Sequence, residues 1–72
     1  MKLKQLERVV VQLSPGTFII GHYLSDNSQG DPLISYHDHP TGESWGRHAP
    51  YEVTASGETC TCDSARSARA RG

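Results

Sequence analysis

Ser14-Pro15-Gly16-Thr17 constrains this chain more than any other segment. Proline presets φ at the second position of a turn, and glycine supplies the positive φ that a type II turn demands at the third. The turn joins two apolar runs, Val9-Val10-Val11 and Phe18-Ile19-Ile20. β-Branched and aromatic side chains fit a pleated surface, and the β-branched ones lose rotamer freedom in a helix. Leu3, Leu6, Val10 and Leu13 recur at helical spacing, but the valine run outweighs them. The segment therefore predicts an antiparallel hairpin with strands over about residues 7–13 and 17–24. Along the second strand Phe18, Ile20, His22 and Leu24 face one way, and Ile19, Gly21 and Tyr23 the other. Two fairly apolar faces suit a central strand. His22 reads as a core-edge histidine hydrogen-bonded to backbone.

Beyond the hairpin, Ser25 to Pro32 is a polar loop of turn formers and Leu33 to Asp38 reads as a third strand. His39 to Pro50 holds two prolines and two glycines and is expected to be irregular. Tyr51 to Ser56 alternates, with Tyr51, Val53 and Ala55 inward. Ser56-Gly57-Glu58 then reads as a turn, and Thr59 to Cys62 as a short last strand. The fold expected is mainly β: a small antiparallel sheet of four to five short strands, curled into a partial barrel. Every Val, Ile, Leu, Phe, Trp and Tyr lies in residues 1–62, which form the compact domain. Residues 63–72 are Ser, Ala and Arg with one Asp and one Gly. Such a segment buries too little apolar surface to offset its ordering entropy, so a disordered tail is expected.

Composition narrows the function classes. A chain of 72 residues makes one domain with a thin core. Two cysteines are too few for a disulfide scaffold. No apolar run is long enough to span a bilayer, so a cytoplasmic protein with no membrane partner is expected. Residues 1–62 carry an excess of acids and the tail an excess of arginines, and the whole has a formal net charge of −1. That balance opposes a general DNA-coating role. The chain has no nucleophile elbow, phosphate-binding loop, zinc-protease helix or dinucleotide fingerprint. Ser35, His37 and Asp38 would alternate across a strand, so they form no triad. The expectation is a protein without enzymatic activity or cofactor.

Two pairs of metal-ligating side chains stand out. Cys60 and Cys62 are two apart, and on a strand both thiols face one side. His37 and His39 share that spacing. Two thiolates and two imidazoles make a tetrahedral zinc set, so His37, His39, Cys60 and Cys62 form a metal-binding alternative. The stretch Tyr51-Glu52-Val53 followed by Gly57-Glu58-Thr59-Cys60-Thr61-Cys62-Asp63 resembles the opening of a SWIM-type zinc finger. That family has a strand, a C-x-C and a later C-x-H. The later pair is absent here, so no zinc is carried over from the resemblance.

The long loop from His37 to Tyr51 concentrates Trp45, Arg47 and Tyr51, residue types that often anchor interfaces. With Lys2 and Lys4 at the start and Arg66, Arg69 and Arg71 in the tail, they form the expected partner-binding set. In size and layout the chain resembles small bacteriophage-encoded regulators of host RNA polymerase. That resemblance implies a large protein partner, a steric mode of inhibition or modification of transcription, and residence in the host cytoplasm. Nucleic acid would be a secondary contact. The alternative of another class is a nucleic-acid-binding β module, with Phe18, Tyr23, Tyr36 or Trp45 as stacking platforms.

Overall fold

Among the described residues, five strands, a single 3-10 turn and one α-helix make up the regular structure. In the computed structural model, which describes residues 3–71 and only the backbone of Arg69 and Arg71, the strands are β1 (Glu7–Ser14), β2 (Thr17–Asp26), β3 (Pro32–Tyr36), β4 (Trp45–Arg47) and β5 (Val53–Thr59). They form one antiparallel sheet in the order β4-β3-β2-β1-β5. The mainly β class stands. The sheet is open, with β4 and β5 at its edges, where a partial barrel was expected.

The predicted hairpin is present. Ser14 faces Thr17 across the turn, and Gly16 has φ +82° as that turn requires. β2 lies in the middle of the sheet between β1 and β3. Its inner face carries Ile19 and Tyr23, which pack with Val9, Val11, Ile34 and Val53 into the main core. Gly21 sits on this inner face against Ile34 and the Ser35 carbonyl, with no room for a Cβ.

Several local expectations change. Residues 45–47 form an edge strand inside the segment expected to be irregular. Ser56-Gly57-Glu58 does not reverse the chain. It is an irregularity within β5, opposite the shift in register between Glu7 and Val9, with Gly57 at φ +81° and the Ser56 hydroxyl donating to the Arg8 carbonyl (2.7 Å). The strand runs through it to Thr59, so no separate last strand forms over 59–62. Tyr51 falls in a 3-10 turn (Pro50–Glu52) and is 88% exposed, so it does not point inward; Ala55 is exposed as well.

The segment expected as a tail begins with the one short helix, α1 (Asp63–Arg71). Among the described side chains its anchor is the first turn. Ala65 is buried with Leu6 and Cys60 in a second small cluster, against which Cys62 packs. Arg66, Ser67, Ala68 and Ala70 are exposed, as the lack of large apolar side chains dictates. The packed unit therefore extends past Cys62 to Ala65.

Candidate metal centre

The second cluster lies beside four ligand-type side chains. His22, His37, Cys60 and Cys62 each offer one ligand atom, and these atoms all lie within 4.8 Å of one another. His37 Nε2 is 2.9 Å from Cys60 Sγ, and His22 Nδ1 is 3.3 Å from Cys62 Sγ. Metal–sulfur bonds of about 2.3 Å and metal–nitrogen bonds of about 2.0 Å put tetrahedral neighbours roughly 3.3–3.8 Å apart. The four atoms are therefore spaced for a common centre after small adjustments.

Each ligand is delivered by a different local device. His22 comes from the central strand, on the outer face of the sheet, with Arg8 and Ser35 beside it in register. It is 1% exposed. His37 follows β3 directly, and its N–H donates to the Ile20 carbonyl (3.0 Å). Cys60 follows β5, and its N–H donates to the Leu6 carbonyl (2.7 Å), while the Leu6 N–H donates to the Tyr23 carbonyl (2.9 Å). Leu6 makes both bonds from a left-handed conformation, φ 67°. A bulky non-glycine residue adopts that conformation only when its surroundings enforce it. Leu6 thus staples the end of β5 to the residue after His22. Cys62 is carried two residues further, half-buried at the start of α1.

Burial sets the protonation of two of these groups. Burial holds His22 below its ordinary pKa, and the neighbouring His37 adds to this. A neutral imidazole is the form that ligates. Burial pushes the Cys60 thiol up, so the thiolate is costly there without a cation. Four protein ligands close a tetrahedral site and leave no position for substrate, the arrangement of a structural centre.

The set differs from the one the spacing suggested. Cys60, Cys62 and His37 are in it; His39 is not, and His22 takes its place. β3 ends at Tyr36, so strand alternation does not extend to His39. That ring instead lies against Tyr36, 4.7 Å between centroids, and pairs with Glu43 at 3.3 Å. His22, read as a backbone-bonded core histidine, has its ring nitrogen on Cys62. The signal available for it was its place on a central strand, on the face opposite the aliphatic core.

The residues expected to contact a partner are spread over the surface. Trp45 (57% exposed) and Arg47 lie on edge strand β4, with Arg47 pairing to Asp31 at 3.7 Å. By register Trp45 shares the outer face with Ser35 and His22, and Phe18, Ile20 and Val10 continue that face as exposed apolar side chains. Lys4 is exposed, and Arg66 is exposed and paired to Asp63 at 2.9 Å. Lys2 and the side chains of Arg69 and Arg71 lie outside the described residues. Of the four proposed stacking platforms, Phe18 and Trp45 are exposed. Tyr23 is buried with its hydroxyl donating to Asp26 (2.8 Å), and Tyr36 is half-buried with its hydroxyl on His48. Among the described residues no helix is long and apolar enough to cross a membrane, and no pocket is present. Comparison of the chain with models of protein families, with curated proteins and with solved structures finds no match in any of the three.

Proposed function

We propose that this is a small metal-binding β domain in which His22, His37, Cys60 and Cys62 hold one structural zinc ion. The carrying observation is the convergence of four ligand atoms, from residues up to 40 positions apart, within 4.8 Å. Two thiolates and two imidazoles match the softness and coordination number of zinc. The ion would neutralise the buried Cys60 thiolate and tie β2, the segment after β3 and the end of β5 together. Zinc supplies no reaction in this role. The test is metal content after zinc loading and gel filtration, with cobalt substitution as a spectroscopic probe. The expected result is one ion per chain, a tetrahedral thiolate–cobalt spectrum, loss of both in Cys60→Ser and retention in His39→Ala. Less than half an ion per chain in the wild type overturns the reading.

A second reading concerns what the metal-tied domain does. The outer face supports it: Trp45, Phe18, Ile20 and Val10 are exposed on one side of the sheet. Exposed aromatics of this kind favour a protein-contacting module over a catalyst. The large assembly expected from the sequence, bacterial RNA polymerase, is the first partner to try. Retention of its subunits on immobilised protein, lost in Trp45→Ala, supports this reading; retention unchanged by that substitution removes Trp45 from it.

A further inference from the structure

We infer that the metal controls whether α1 is helical, because Cys62 is both a ligand and the helix's N-cap; this rests on the zinc reading above. The Cys62 carbonyl accepts the Arg66 N–H (2.9 Å), the first intrahelical bond. Its Sγ accepts the Ala65 N–H (3.4 Å), the contact a capping side chain makes with the third helical residue. The same sulfur lies 3.3 Å from His22 Nδ1. One atom therefore closes the metal site and the helix terminus together.

Among the described side chains the helix has little else to hold it. It spans nine residues, too short to persist alone in water. Its buried contact is Ala65, and the Asp63–Arg66 pair is solvent-exposed. A sulfur held by zinc is fixed relative to β2 at the position from which it accepts the Ala65 N–H, so the cap no longer depends on the free rotation of one side chain. Metal binding strengthens the cap and orders the arginine-bearing segment that starts at Arg66. Loss of metal returns that segment to the disorder its Ser/Ala/Arg composition favours. The coupling is reciprocal, so a partner that grips α1 as a helix tightens the site for its metal.

Amide hydrogen exchange on the full chain, with zinc and after chelation, tests this, with zinc stoichiometry measured by native mass spectrometry on the same samples. Chelation should raise exchange at residues 66–70 roughly five- to tenfold, the size of one lost cap. The β1–β2 hairpin amides should change less. Cys62→Ser removes the soft ligand but supplies a better capping oxygen, so its helix should keep protection and no longer respond to zinc. One bound zinc with unchanged exchange at 66–70 overturns the inference and leaves the metal reading intact. Equal loss of protection in the hairpin makes the effect global and also overturns it. Absence of zinc binding overturns both.

Discussion

Glu7 shows how single residues hold this small sheet. Its carboxylate is buried and accepts two backbone N–H groups, from Lys4 at 3.1 Å and from Gly57 at 3.0 Å. It thereby fixes the chain entering β1 and the irregularity in β5. In Glu7→Gln an amide N–H₂ group would face one of those donors and leave it unpaired. The expected cost is about 1–3 kcal/mol, read as a lower denaturation midpoint at unchanged slope. His48 gives a second prediction, for pH. Burial holds it below its ordinary value of 6.5, outweighing the opposing pull of Glu52 and assisted by nearby His39. A group with a depressed folded pKa takes up its proton first in the unfolded chain. Its neutral form, which can accept the Tyr36 hydroxyl, is therefore stabilising above pH 6.5, and that contribution declines as pH falls below it. His48→Gln should flatten the change in stability between pH 7 and pH 5. An unaltered slope would assign the pH dependence to other groups.

At the scale of elements, α1 separates an anchored turn from an exposed remainder. Deleting residues 66–72 removes exposed positions among those whose side chains are described, and should leave thermal stability of the metal-free protein nearly unchanged. Deleting 63–72 uncovers Leu6 and Cys60 and should lower it measurably. Equal losses from the two deletions would mean that the anchor lies beyond Ala65. The elements also mark how far the sequence could be read. The β1–β2 hairpin was legible because its turn chemistry and its apolar runs are local. β4 was not: three residues flanked by loops acquire strand geometry only by pairing Leu33, Ile34 and Ser35 with Arg47, Gly46 and Trp45. Gly57 was read as a reversal because a glycine flanked by polar residues looks the same locally in a turn and in a bulge. α1 was missed for a related reason. Its composition argues against order, and the cap that starts it depends on a sulfur placed by the sheet. In the candidate metal centre the Cys60/Cys62 pair was visible as a local repeat. His22 was hidden because only the register of β1, β2 and β5 brings it beneath residues 60–62.

The molecule has a thin core: among the described residues, six are buried in the main cluster and three in the second. A sheet of this size gains much from a cross-link that joins distant segments. Zinc present at a hundred times its dissociation constant would add about 2.7 kcal/mol. For a domain of this length that corresponds to a rise in melting temperature on the order of 10–20 °C. Thermal unfolding with excess zinc and with chelator measures it. A shift of a degree or less at confirmed one-to-one loading would show that the ion binds without bracing the fold.

The order of the ligands along the chain also has a kinetic side. His22 lies in β2 and His37 directly follows β3, both made early, whereas Cys60 and Cys62 follow the strand that must return across the molecule to pair with β1. During synthesis the imidazole half exists while both thiols are still to be made. A site that holds zinc would gain its full ligand set only once β5 has paired with β1 and carried both thiols to the imidazoles, so the complete site would report that β5 has found its register.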